Sequence, residues 1–381
     1  MLDRMVKILA SLRLTVALLA LGLVLVFWGT LAQVNLGLYK AQNEFFRSFF
    51  IFWQPNGSGL NLPIFPGGYL IGGLLLINLL VAHTRYYQPG KGKIGIALIH
   101  LGVVLLLVGQ LLTDYLSTES TMHIRNGDTK NYSEADRNFE LAIVDTTDAA
   151  SDKVVAILGR LLVKGGDLSH AELPFAIRVK TFYGNSSLIE KADPDYQAVQ
   201  TTAGVGAGLW WRELPHETVM ERRDMPSGIV ELVGPQGSLG SYLVSAFLNR
   251  PQPLTHKGRT YQLELRPERH YKPFSMHLIE FKHDKYPGTD IPKNFSSRVR
   301  LQRPDTGENR EVLIYMNNPL RYGGETYYQA SFDRDDQGTV LQVVRNPSWL
   351  TPYFSCVLVA AGLTVQFLTH LFDFARKRRS P

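Results

Sequence analysis

The sequence predicts an α+β membrane protein: four transmembrane helices, with a large extracytoplasmic β-rich domain between helices three and four. Three observations predict it. Leu14–Ala32, Phe65–Ala82, Ile94–Thr113 and Leu350–Phe372 contain no Asp, Glu, Lys or Arg. Each has the roughly 18 or more residues that a helix needs to cross a hydrocarbon core. Between the third and fourth lies a long polar block, Asp114–Trp349, with short β-branched runs bounded by turn residues. Lys and Arg gather in the stretches that flank one side of the predicted spans.

With their flanks the helices cover about 12–33, 65–83, 94–116 and 350–372. The chain then divides into an N-terminal membrane part (1–116), an outer domain (117–349), the fourth helix and a basic tail (373–381). The first apolar run is too long for a cleavable signal, and no clear small-residue cleavage site follows Leu31-Ala32-Gln33.

Orientation follows from the basic residues. Arg4, Lys7 and Arg13 precede the first span; Arg85, Lys91 and Lys93 lie between the second and third; Arg376, Lys377, Arg378 and Arg379 follow the fourth. Both termini are thus expected inside, with loop 33–64 and the polar block outside. These three stretches hold more positive charge than the whole chain's +6, so the remainder is net negative. The basic character is a topological signal, and no nucleic-acid partner need be invoked. Cys356 is the sole cysteine and lies in the fourth span. That excludes an intrachain disulfide, a C-x-x-C dithiol oxidoreductase and a covalently haemylated C-x-x-C-H cytochrome.

In the outer block, Phe139–Asp145, Phe175–Phe182, Gly228–Val233, Tyr261–Leu265, Val312–Met316, Thr326–Phe332 and Val340–Val344 read as strands. Asn126-Gly127-Asp128, Gly234-Pro235, Asn317-Asn318-Pro319 and Gly323-Gly324 read as turns. An antiparallel sandwich or barrel-like domain is expected. Residues Asp152–Leu162 are a candidate helix, and the glycine-rich Thr201–Trp211 a loop. The first outer loop holds Phe45, Phe46, Phe49, Phe50, Phe52 and Trp53. Such clustering beside a membrane reads as an interfacial segment, with a platform for a flat ligand or partner as the alternative.

The third span carries glycines 95, 102 and 109, seven apart and on one helix face, where a neighbouring helix can approach closely. His100 lies about 200° from Gly102 and points away from that seam, roughly 9 Å from the inner end. An ionisable group at such depth is a candidate site. The second span contains Asn78 and ends at His83; the fourth carries Gly362, Gln366 and His370 in one stripe. Neutral imidazole suits haem iron. The competing readings are a satisfied structural hydrogen bond for His100 and solvated interfacial side chains for His83 and His370. In the outer block, His270, His277 and His283 lack helical metal-site spacing, H-E-x-x-H is absent, and His216, Glu217 and Asp333 read as solvated surface.

The order of three spans, an outer β domain and a final span comes with specific strings. Trp28-Gly29-Thr30-Leu31-Ala32-Gln33 closes the first span, and Ile99-His100-Leu101-Gly102 with Gly109 marks the third. Asn317-Asn318-Pro319-Leu320-Arg321-Tyr322-Gly323-Gly324 is followed by Tyr327-Tyr328-Gln329-Ala330-Ser331-Phe332, and Leu341-Gln342-Val343-Val344-Arg345-Asn346-Pro347 leads into the last span. Together these resemble the ResB (CcsB) family of system II cytochrome c maturation over nearly the whole chain, least between about residues 150 and 250.

The resemblance implies haem handling in a bacterial inner membrane, as a non-catalytic or co-catalytic subunit of a haem lyase. The implied cofactor is haem b, shared with a partner of the ResC (CcsA) type that carries a WWD segment. Apocytochrome c, a thioredoxin-like reductant and membrane lipid are the other implied partners. The family motif makes His100 an axial ligand to haem iron, opposite a partner's histidine, and leaves His83 and His370 as further candidates; no catalytic residue is implied. Trp210-Trp211-Arg212 only superficially resembles WWD, so the chain looks like the unfused subunit. Where the family often has a cysteine near the end of the second span, this chain has Ala82-His83-Thr84-Arg85. Arg85 could pair with haem propionates, although the positive-inside rule explains it equally. An outer sheet edge could dock extended peptide. Two other classes stay open: a scaffold with core histidines, and a b-type electron-transfer subunit.

Overall fold

The computed structural model describes residues 2–53, 60–86, 93–149, 151–219, 222–289 and 291–379; Lys91, counted above, lies outside them. The chain divides into two compact bodies. One runs up to Thr118 and from Arg345 onward, with Thr218 and Val219; the other is built from the residues between. The helices are α1 (Leu2–Leu9), α2 (Leu12–Leu36), α3 (Leu38–Ala41), α4 (Gly68–Tyr86), α5 (Ile94–Leu116), α6 (Gly159–Lys164) and α7 (Thr351–Arg379). Of these, α2, α4, α5 and α7 are long and apolar enough to cross a membrane, the build of a membrane protein.

Polar side chains and glycines fix how these helices pack. The chain breaks between α1 and α2, where the Ser11 hydroxyl accepts from the Leu14 amide at 3.2 Å. Buried Asn78 of α4 donates to the Leu9 and Ser11 carbonyls at 2.6 and 3.2 Å, and its Oδ1 accepts from Thr15 at 2.6 Å. A buried amide must be hydrogen-bonded, so Asn78 is explained as the clasp between α4 and the α1–α2 corner. Along α5, an added Cβ at Gly95 would lie 2.8 Å from the Gly362 carbonyl oxygen. At Gly102 it would lie 2.6 Å from Val359 Cγ2, and at Gly109 2.5 Å from Thr351 Cγ2. The seven-residue glycine seam is the face on which α5 meets α7.

The predicted second span loses its first residues to a strand. Between α3 and α4 the chain makes a π-helical turn, Gln42–Phe46, then the antiparallel pair β1 (Phe50–Trp53) and β2 (Leu62–Pro66). Phe65 and Pro66 belong to β2 because Phe65 pairs with Ile51.

The second body is β-rich. Its strands are β3 (Thr118–Arg125), β4 (Thr129–Asp145), β5 (Lys153–Leu158), β6 (Gly166–Leu168), β7 (Ala176–Tyr183), β8 (Ser186–Ile189), β9 (Gln197–Ala198) and β10 (Trp210–Glu213). There follow β11 (Ser227–Gly234), β12 (Gly237–Ser245), β13 (Gln252–His256), β14 (Arg259–Lys285), β15 (Pro292–Arg303) and β16 (Glu308–Tyr315). The last are β17 (Leu320–Tyr322), β18 (Glu325–Phe332) and β19 (Gly338–Arg345). A ten-stranded sheet runs β16-β15-β14-β4-β3-β19-β18-β17, with β13 on β14 and β5 on β4; a four-stranded sheet runs β12-β11-β7-β6. The two-residue turn β17–β18 requires left-handed backbone at Gly323 and Gly324 (φ 61° and 79°).

The candidate helix at 152–162 is a strand through Leu158 and a helix only from Gly159 to Lys164. Its β-branched stretch pairs with β4 from Glu140 to Asp145 and buries Val155 and Ile157, so sheet packing overrides helix propensity. The expected glycine-rich loop ends one residue short of Trp210, which begins β10.

The long strand β14 threads two cores, and β4 lines one of them. Leu141, Ile143, Tyr261 and Leu263 enter one, with Val230 and Leu232. Met276, Leu278 and Phe281 enter the other, with Met122, Val299 and Leu341. Between them the β4–β14 register shifts twice, after Pro267 and after Tyr271. Polar side chains occupy that waist: buried Arg266 meets Glu140 at 2.9 Å, and Arg269 meets Glu134 at 3.1 Å beneath the Tyr132 ring.

Candidate functional site

Two of the three histidines singled out in the spans meet. His83 lies in the last turn of α4 and His100 on α5; both are half-buried. Their Nδ1 atoms are 3.3 Å apart, with ring centroids at 5.5 Å and planes at 77°. The glycine seam explains the aim. Gly102 faces α7, so a residue about 200° away turns towards α4.

The nitrogen inventory limits what this contact can do. One Nδ1 must donate and the other accept, so two neutral rings share one proton along that line. The gap is a hydrogen-bond distance. Two imidazoles held in line on opposite sides of one ion would stand about 4 Å apart, twice an imidazole–metal bond of about 2 Å. The two Nδ1 atoms are therefore too close to hold one ion in line between them. A donating Nδ1 leaves Nε2 of the same ring as the lone-pair nitrogen, the tautomer that a metal takes.

His370 is not part of this contact. It is exposed on α7, with Nε2 2.8 Å from the Gln366 amide nitrogen one turn earlier. Arg85 has a carboxylate partner already: both terminal nitrogens lie 3.1 Å from Asp3 Oδ1.

One polar cluster escaped the sequence reading. Asp114, near the carboxyl end of α5, pairs with Arg47 at 2.8 Å and accepts a short hydrogen bond from the Tyr69 hydroxyl. A carboxylate is disfavoured at that end of a helix, and this was the available signal that it needed partners. In the β-rich body, Asp333 is largely covered and holds His123 at 2.9 Å and Arg125 at 3.4 Å, so it is not the solvated residue expected. His216 is exposed as expected, with Asp224 at 2.7 Å. His283 is buried, against Asp336 at 3.0 Å and the Phe332 ring. Among the described residues no three His, Cys, Asp or Glu side chains are grouped to hold a metal ion.

Residues 254–340 match the model of the ResB-like family, from β13 through the opening of β19. This stretch of the chain is similar to the ResB-like family. The matched stretch contains the Asn317–Pro319 and Gly323–Gly324 turns and all of β18, where the resemblance was read. Protein NrfI of Wolinella succinogenes is 26% identical over 298 residues, which cover 76% of this chain and 29% of that protein. The chain thus spans less than a third of the length of that relative. The histidine contact lies outside the matched stretch, so its case rests on geometry and on the Ile99–Gly102 string.

Proposed function

We propose that this chain is a subunit of the system II cytochrome c maturation complex. In this reading it holds haem and delivers it across a bacterial inner membrane for covalent attachment to apocytochrome c, with both termini cytoplasmic. The His83–His100 contact carries the reading. A ligand histidine needs its second nitrogen tied to an acceptor, and His100 has such a neighbour in His83.

When bound, haem supplies the iron and the vinyl groups to which apocytochrome thiols add. The chain's own contribution is positioning. His100 would hold the haem through Nε2, with His83 accepting the Nδ1 proton of His100 and so fixing its ring tautomer and angle. With His83 engaged by His100 through Nδ1, a further histidine holding the haem would come from the WWD-type partner. A thioredoxin-like reductant keeps the thiols available. No general acid or base is assigned here, in keeping with a co-catalytic subunit.

The test is the absorption spectrum of the chain purified with its WWD partner, wild type against His100→Ala. Haem bands that fade in the variant and return with added imidazole support the reading. Unchanged bands and unchanged cytochrome maturation would leave His100 a structural residue.

A further inference from the structure

The outer-loop aromatics split into two groups. Phe45 is buried and meets the Trp28 ring edge-on at 5.3 Å; Phe46 crowds Gly29, where a Cβ would lie 2.8 Å from the ring. These two are core. Phe49, Phe50, Phe52, Trp53, Leu60, Leu62 and Ile64 are 44–62% exposed. From Ser48 to Pro66 there is no charged residue.

The ribbon's base is clamped. The Gly67 amide donates to the Phe49 carbonyl at 2.9 Å and the Tyr69 amide to the Ser48 carbonyl at 3.1 Å. A Cβ at Gly67 would clash with the Ser48 carbonyl oxygen, and one at Gly68 with that of Phe46. Ile51 packs into the cluster of Leu25, Phe45 and Ile71. The ribbon is therefore fixed at the point where α4 begins.

Neither water nor hydrocarbon suits this element. A lone two-stranded ribbon with large apolar side chains outward is marginal in water and a liability there. A two-stranded sheet has two open edges, whose backbone groups hydrocarbon cannot satisfy. The bilayer interface supplies both an apolar side and water, and it favours Trp.

We propose that the β1–β2 ribbon is an interfacial anchor. It lies in the headgroup boundary on the side where α2 ends and α4 begins, and the lipid surface is its partner. The proposal rests on the reading of α2, α4 and α5 as membrane spans. It also fixes depth: His83 is about 22 Å of helix rise from Gly68, so the ribbon at one interface holds the histidine pair towards the other.

The test uses the full chain in phosphatidylcholine vesicles, with Cys356→Ser removing the only cysteine. A nitroxide is placed through Phe52→Cys or Leu62→Cys, with Leu111→Cys on exposed α5 and Asp136→Cys in the outer domain as references. Accessibility to oxygen and to a nickel chelate is read by electron paramagnetic resonance. The proposal expects positions 52 and 62 to fall between 111 and 136, at headgroup depth. Chelate access at 52 and 62 equal to that at 136 puts the ribbon in water and overturns it. Low access to both reagents means that protein covers the ribbon, and also overturns it. A label at 111 that fails to favour oxygen would sink the spanning reading itself, a separate failure.

Discussion

His83 and His100 face each other Nδ1 to Nδ1 at 3.3 Å, although seventeen residues separate them. Two helix faces produce this contact: α5 turns its glycines to α7 and its histidine to α4. The roles are unequal in the proposed mechanism, so the variants are expected to differ. His100→Ala should abolish haem binding and recover it with imidazole. His83→Ala should weaken binding about 10–100-fold, the usual effect of losing a ligand's hydrogen-bond partner, and His83→Gln should recover part of that. Haem titration followed by the Soret band measures all three. Equal losses at both positions, each rescued by imidazole, would make both histidines ligands.

The α5–α7 seam predicts a graded stability series. Gly102→Ala places a methyl 2.6 Å from Val359 Cγ2 and 2.9 Å from the Ser355 carbonyl oxygen. Overpacking of this kind costs about 1–3 kcal/mol. At Gly73 of α4 nothing lies within 4 Å, so Gly73→Ala should be neutral or stabilising through helix propensity. Thermal unfolding in detergent compares the two, and a Gly102→Ala midpoint at or above wild type would refute the close approach.

Arg266 and Glu140, paired across β14 and β4, form a buried ion pair in the β-rich body. Glu140→Ala strands the guanidinium, with Glu264 at 3.3 Å as its remaining carboxylate. Removal of one partner of such a pair costs about 3–5 kcal/mol, whereas replacement of both by apolar residues costs far less. The double variant Glu140→Leu with Arg266→Met should therefore be more stable than Glu140→Ala. A double-mutant cycle on the thermal midpoint reads the coupling.

The pH profile of the β-rich body should be asymmetric. Burial and the 2.7 Å hydrogen bond to Glu325 raise the Tyr327 phenol above its ordinary value of 10.0. Burial raises Tyr132 in the same direction. A raised acid contributes stability in full below the unfolded value and loses it as pH climbs past that value. On the acid side, Asp167 is lowered by its hydrogen bonds from Arg178, and Asp305 by those from Arg303. Their contribution is present above the unfolded value of 3.8 and vanishes as pH falls through the folded one. Both pairs are exposed and contribute little. Thermal midpoints should thus decline gently below about pH 4 and steeply above about pH 10. Tyr327→Phe should flatten the alkaline limb; an unchanged limb would assign it to other groups.

Local pattern was sufficient for part of the molecule. Charge-free runs announced four helices, because a segment that long has to find an apolar surrounding. The Gly95–Gly102–Gly109 period announced a close helix contact, and β-branched runs announced β7, β11, β18 and β19. The longest strand, β14, was legible only at Tyr261–Leu265, since its polar middle, Arg266–Tyr271, interrupts the alternation where two cores meet. Asp152–Leu162 misled because its apolar spacing suits a helix while its place beside β4 does not.

The sequence by itself determined the α+β membrane build, the ResB resemblance and the identity of the unusual histidine. Only the tertiary structure decided what that histidine faces. Periodicity places a side chain on a helix face; the partner depends on which helix the packing brings there. Asn78, the glycine seam and the Asp114 cluster fix that packing through contacts 45 to 69 residues apart in the chain, and beyond. Those contacts put His83 against His100, left His370 with Gln366, and separated the buried aromatics from the exposed ribbon.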